Sequence, residues 1–236
     1  MGIVHACTRI APIILLLAAA KLRAQAGPPF QTDDPIPVEC GHYEFYAFGT
    51  ADGTPVEMDS VGPAFEFNWG AIPRIQLHAI LPFGFAAPMN HPAYAPAGQG
   101  PLTFGFTDME LGVKYGFVTQ TKHRPEIGSF TMVEIPTGDA DRGLGVGKVW
   151  YKLPIWVAKG IGPWILDGGA GYVVNPQTGY RNYPYGGFLV RRTINKKLDL
   201  AAEIFSHARE GAAAPQSESS TMIDAGGYYN FNSPGL

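Results

Sequence analysis

The chain has 236 residues, of which only 16% are charged while 46% are hydrophobic and 12% aromatic. Soluble domains carry roughly a quarter charged residues, so this balance argues against an ordinary water-soluble enzyme. The formal net charge is −3 with no basic stripe, which leaves nucleic acid outside the expected partners.

The N-terminus reads as a targeting segment. Arg9 precedes an apolar run from Ile10 to Ala20, interrupted only by Pro12, and Ala24-Gln25-Ala26 supplies the small-x-small pattern of a cleavage site. Residues 1–26 are therefore expected to be a signal peptide, although Lys21 and Arg23 before the cut are unusual. A permanent membrane helix needs about 20 apolar residues, more than this run supplies; an uncleaved anchor is the alternative. Residues 27–40 follow as a proline-rich stretch without alternation. It is read as a lead-in or as a plug entering the fold. Cys7 and Cys40 are the only cysteines and form no CxxC or zinc-knuckle pattern.

From Gly41 onward the dominant signal is a period of two. Val61, Phe65, Phe67 and Trp69 alternate with Gly62, Ala64, Glu66 and Asn68. Ile75, Leu77, Ala79, Leu81 and Phe83 alternate with Arg74, Gln76 and His78. The clearest segment is Asp108 to Phe117, where Met109, Leu111, Val113, Tyr115 and Phe117 share one parity and Asp108, Glu110 and Lys114 the other. Val149 to Val157 and Leu198 to His207 repeat the pattern. Successive side chains of a strand point to opposite faces, so each segment has a greasy and a polar face. Charges keep to one parity, as a hydrocarbon solvent requires, since a basic residue at mid-depth on the lipid face costs about 2–4 kcal/mol.

Linkers alternate as well. Gly70–Pro73, Thr119–Arg124, Lys159–Gly162 and Asn195–Lys197 are tight, whereas Thr50–Ser60, Ala86–Thr103, Thr137–Gly147, Asn175–Pro184 and Ala208–Ser219 are long. Short periplasmic turns alternating with long external loops are the habit of bacterial outer-membrane barrels. The expected fold is all-β: an antiparallel transmembrane β-barrel over residues 41–236, with about ten strands between Gly41 and Phe231. Asn232-Ser233-Pro234-Gly235 reads as a turn with only Leu236 after it. About 12 strands are thus expected for the complete barrel, one C-terminal hairpin being missing, and closure at Phe231 with ten is the alternative.

The stretches Gly105-Phe106-Thr107-Asp108-Met109-Glu110-Leu111-Gly112-Val113-Lys114-Tyr115 and Glu134-Ile135-Pro136-Thr137-Gly138-Asp139 resemble a family of bacterial outer-membrane "transporter" proteins, the meta-pathway of phenol degradation family. In that family a G-x-x-D-x-x-x-G-x-K-Y strand is followed by one ending in P-T-G-D. The likeness runs from about Phe30 onward, and the chain departs from it by lacking the final strands. It implies a barrel distantly similar to hydrophobic-compound channels such as the long-chain fatty-acid channel, passing small apolar or aromatic compounds.

On the polar parity, Glu66, Arg74, His78, Asp108, Glu110, Lys114, Glu134, Lys148, Lys152, Asp167 and Glu203 are candidates to line a lumen, together with Trp150, Trp156 and Phe130. Such residues either form a salt-bridged filling or line an aqueous path selecting by charge and size. Inward aromatics suit apolar solutes, or pack against an internal plug. Trp69, Trp164, Tyr172, Tyr228 and Tyr229 are assigned to interfacial girdles. The six histidines show no HExxH spacing and no G-x-S-x-G occurs, so no catalytic residue, metal or cofactor is expected. A rim hydrolase using His78 or His207 is the enzymatic alternative. The expected partners are outer-membrane lipid and a small hydrophobic solute.

Overall fold

The computed structural model describes residues 30–53, 57–88, 102–212 and 218–229. The expected signal peptide and the last residues of the chain lie outside them. No helix among the described residues is long and apolar enough to cross a membrane. Among the described residues, the regular structure is one antiparallel sheet and a single turn of 3-10 helix, Ala140–Arg142.

Eleven strands make up the sheet: β1 (Tyr43–Gly53), β2 (Glu57–Ile72), β3 (Ile75–Pro88), β4 (Thr103–Phe106), β5 (Met109–Val118), β6 (Glu126–Ile135), β7 (Trp150–Ile161), β8 (Trp164–Val174), β9 (Tyr183–Thr193), β10 (Leu198–His207) and β11 (Ser220–Tyr229). Sequence neighbours pair throughout, except that β4 and β5 do not pair with each other: both pair with β3, β4 at its far end and β5 at its near end. The sheet therefore has ten places, as the alternation predicts, and the eleventh strand comes from splitting one of them. The split has a physical cause in β3. Pro82 has no N–H to offer the ladder, and Thr107 N–H donates to its carbonyl at 3.0 Å while Asp108 leaves the strand.

Two linkers differ from the sequence reading. Thr50–Ser60 is mostly ladder, because Thr50 pairs with Val61 and pairing continues to Gly53 with Met58. Ala86 to Pro88 likewise belong to β3. All the same, the short connections 73–74, 119–125, 162–163 and 194–197 share one end of the sheet. The strand ends that bound the longer intervals, 89–102, 136–149, 175–182 and 208–219, lie at the other end, as do the ends of β1 and β2 at Gly53 and Glu57.

Burial is inverted relative to a water-soluble protein. Lys114, Glu203 and Asp167 are each at most 2% exposed, whereas Phe45 and Ile223 are 65% and 79% exposed. Buried and exposed residues alternate along β5, β7 and β10, so one face of the sheet is enclosed, holding the buried charges together with an aromatic cluster, and the other is apolar and open. The enclosing is done by curvature. Residues 30–39 run along the polar face and touch β3, β5, β6, β9, β10 and β11, which one short segment does only if the sheet wraps around it. Tyr46 and Phe48 of β1 and Tyr228 of β11 line one cavity of about 270 Å³. The two edge strands thus approach each other, and each is paired on one side only among the described residues.

Glycines on the concave face make room for what lies there. A Cβ at Gly128 would sit 2.8 Å from the Pro35 carbonyl, and one at Gly187 would strike Thr32 and meet Phe205 at 2.8 Å. At Gly169 it would collide with the Ile155 carbonyl and stand 2.6 Å from the Trp156 ring. Overpacking of this kind costs about 1–3 kcal/mol. Gly169→Ala is expected to lower the unfolding free energy of the purified protein, measured by denaturant titration, by that much. Gly160→Ala, whose Cβ would only touch Gln120 at 3.5 Å, is expected to leave it within about 0.5 kcal/mol.

Candidate functional site

The concave face divides into a polar region around the N-terminal segment and an aromatic region beside it. The segment has no ladder of its own and takes its hydrogen bonds from side chains. Glu203 on β10 accepts from two successive amides, Gln31 N–H at 2.9 Å and Thr32 N–H. Gln76 on β3 accepts from Val38 N–H at 2.9 Å. Between these ends, Lys114 on β5 donates to Asp33 at 2.9 Å and faces Asp34 at 3.6 Å, with its ammonium 4.7 Å above the Phe130 ring. Phe30 closes one end against Tyr228, ring centres 6.0 Å apart.

A second network crosses β2, β3, β5 and β7. Asn68 donates to Glu66 at 2.7 Å and its carbonyl accepts from Gln76 at 2.8 Å. His78 Nδ1 meets the same Asn68 oxygen at 2.7 Å, and its Nε2 lies 3.2 Å from Glu110. Lys152 donates to the other oxygen of Glu110 at 3.0 Å and lies 5.0 Å above the Trp150 ring. The residues stand at i, i+2 positions on one parity of adjacent strands, and the ladder pairs Asn68 with His78 and His78 with Gly112. The absence of a side chain at Gly112 gives His78 and Phe130 their space.

The aromatic region lies on β6 to β11. Phe130, Trp156, Val173, Tyr185 and Phe205 form a buried cluster. Gly171 is what admits it, since a Cβ there would lie 2.7 Å from Tyr185 Oη. Beside the cluster is a cavity of about 510 Å³, floored by Gln31 and Asp33 and walled by Met132, Trp156, Tyr185 and Phe205. A third cavity, of about 350 Å³, opens at the long-linker end between Phe48, Pro82, Glu134, Leu144 and Trp150. Asp167 on β8 faces Arg191 on β9 at 3.9 Å, and Arg191 stands 5.8 Å over Tyr228.

The expected lumen residues thus fall into groups. Glu66, His78, Glu110 and Lys152 share one network, Lys114 and Glu203 hold the segment, Asp167 pairs across to Arg191, and Trp156 belongs to the aromatic cluster. Trp150 and Glu134 border the outer cavity. Asp108 is buried at that cavity but turned to the linker, accepting from Gly138 N–H at 3.0 Å and Val146 N–H at 2.6 Å. Three positions differ from the expectation. Lys148 precedes β7, which begins at Trp150; it is exposed and reaches the Pro176 carbonyl. Arg74 sits in the β2–β3 turn with φ 68° and clamps Gly116, Thr119 and Glu126 at the short-turn end. Tyr228, assigned to a girdle, points inward to Phe30.

Sequence reasoning missed Asp33, Asp34, Asn68, Gln76, Arg191 and Tyr185 as site residues. Asn68, Gln76, Arg191 and Tyr185 carried the signal, lying on the inward parity of their strands. His207 is engaged by the Ala208 carbonyl at 2.9 Å and by Glu210 at 3.6 Å. Among the described residues, no group of three His, Cys, Asp or Glu side chains is arranged to hold a metal ion.

Removing one partner of a buried ion pair strands the other charge, at a cost of about 3–5 kcal/mol. Lys114→Met is therefore expected to speed hydrogen exchange at Thr32 and Val38 well beyond wild type. Adding Asp33→Asn and Asp34→Asn to it is expected to restore part of the protection.

No protein-family model matches the chain, and no curated protein sequence matches it.

Proposed function

We propose that the chain is an exported barrel of the bacterial outer membrane that passes small apolar or aromatic compounds, with residues 30–39 as an internal plug. The observation that carries the reading is the inverted burial: charges enclosed on the concave face and large apolar side chains exposed on the convex one. A soluble monomer rarely exposes so continuous an apolar surface. In a bilayer it faces hydrocarbon, and an antiparallel strand order without crossovers is the topology that closes into a barrel. The alternation of short and long linkers supports a periplasmic N-terminus with the long linkers outside. The resemblance of Gly105–Tyr115 and Glu134–Asp139 to the outer-membrane transporter family points the same way.

The passage is supported by the cavities that flank the segment, about 270 and 510 Å³. A second reading, a plugged barrel whose external linkers bind a partner, is favoured by the segment itself, seated by Lys114, Glu203 and Gln76. Reconstitution of the protein into liposomes separates the two. Flux of a small aromatic solute, raised by deletion of residues 27–39, is the expected result. If only the deletion variant passes solute or current, the plugged barrel stands; if neither protein does, the passage is wrong and the segment is not what closes the lumen. Failure of the folded protein to partition into bilayers would overturn both.

A further inference from the structure

The cavity of about 350 Å³ at the long-linker end holds a carboxylate without a partner among the described residues. Glu110 on β5 and Glu134 on β6 stand directly opposite each other in the ladder, and like charges so placed destabilise an antiparallel pair. Lys152 on β7 lies diagonal to Glu134, but its ammonium is turned to Glu110 at 3.0 Å. Lys114 and Arg191 have acids of their own, Asp33 at 2.9 Å and Asp167 at 3.9 Å. On the linkers at this end, Arg142 donates to the Phe104 carbonyl and Lys148 to that of Pro176. Asp108, the third acid of the cavity, is matched by the amides of Gly138 and Val146. Glu134 is thus left over. It is half-buried, and its oxygens keep accessible area where it lines the cavity.

Much of the remaining wall is apolar. Phe48 and Trp150 supply rings, and Ile80, Pro82 and Leu144 supply aliphatic surface. A carboxylate in such surroundings is costly without a counter-charge. A metal ion is poorly matched, since no three His, Cys, Asp or Glu side chains converge to hold one among the described residues. An organic ammonium is matched at both ends: its head pairs with one carboxylate and its body covers the apolar wall. Aromatic faces attract cations as well. Trp150 already shows this, with the Lys152 ammonium 5.0 Å from the centre of its ring. The volume falls in the range of small-molecule sites, which are mostly apolar with a few placed polar groups.

We propose that the outer cavity is a binding site for a small organic monocation, an ammonium head on an apolar body of about one ring. Glu134 accepts the ammonium hydrogens, and Phe48, Trp150 and Leu144 enclose the body. The inference goes beyond the passage of apolar or aromatic compounds. It assigns a charged class of guest and a station at the long-linker end, and it stands on the cavity whether or not solute crosses.

The test is equilibrium binding to the full chain in detergent micelles at about pH 8, where carboxylates are ionised and amines protonated. Benzylammonium is the organic cation, benzyl alcohol the neutral body of the same size, and potassium the cation without a body. Isothermal calorimetry is expected to show saturable binding of benzylammonium, with the other two each at least about tenfold weaker. Glu134→Gln keeps the shape and removes the charge. It is expected to weaken benzylammonium by about ten- to a hundredfold, the worth of a hydrogen bond to a charged group, while leaving benzyl alcohol unchanged. Asp199→Asn removes an acid at the short-turn end and is expected to change neither. Circular dichroism first establishes that each variant keeps the β spectrum, and the comparison of the three probes on the unaltered chain needs no variant. The proposal is overturned by absent benzylammonium binding, by benzyl alcohol or potassium binding equally well, or by Glu134→Gln weakening benzylammonium no more than Asp199→Asn does. Saturable benzylammonium binding without flux of an aromatic solute in liposomes would keep the site and remove the passage, and flux without such binding would do the reverse.

Discussion

The period of two along each strand is the constraint on which everything else depends. It gives a curled sheet two faces that meet different surroundings, and here the charges went to the concave one. Once Glu66, Glu110, Lys114, Lys152, Asp167 and Glu203 are enclosed, each needs a partner or water, because an isolated buried charge is prohibitively costly. The ladder gathers inward residues of nearby strands, so partners are found across strands: Asn68 directly opposite His78, Asp167 diagonal to Arg191, and Glu110 reaching Lys152 across β6. Gln76 then joins this network to the N-terminal segment, accepting from Val38 N–H and donating to Asn68.

The N-terminal segment follows from the same need. Its backbone amides have no ladder, and a buried unpaired amide costs as much as a lost hydrogen bond. Glu203 and Gln76 supply the acceptors, and in return the segment brings Asp33 and Asp34 to Lys114. Side chains are absent from the wall where the segment lies closest, at Gly70, Gly116, Gly128 and Gly187. Glycine in a strand interior weakens the strand and often marks close backbone approach. Those four positions trace the path of the segment across the sheet.

The strands and their facing were legible because alternation is local: ten residues from Asp108 to Phe117 suffice to separate Glu110 and Lys114 from Leu111 and Val113. What was not legible depended on contacts far apart in sequence. Thr32 meets Glu203 across 171 residues, and the stretch around it has no periodicity to read. The strand break at Thr107-Asp108 is set by Pro82 on the opposing strand. Lys148 followed the parity of β7 but stands before the ladder begins, and Arg74 was drawn out of it by the left-handed turn. Tyr228 misled because its ring was read as a girdle aromatic, although it shares the inward parity of Met222 and Asp224, opposite to that of exposed Ile223.

In the proposed barrel, the way the plug is held bears on whether it can leave. A segment seated by packed apolar side chains would need that area exposed to water for release, at about 25 cal/mol per Å². Here Phe30 and Val38 anchor the ends, 6% and 5% exposed, and Pro35 is buried against Gly128, while the rest of the middle is held by charges and hydrogen bonds. Water entering behind a departing segment rehydrates Lys114, Glu203 and the two aspartates, recovering much of what the ion pair loses, because exposed charges need no partner. A polar seat inside a polar wall is therefore strong when closed and inexpensive to flood. The cavities on either side already supply space from which water reaches it, so the same side chains that fix the plug also lower the barrier to displacing it.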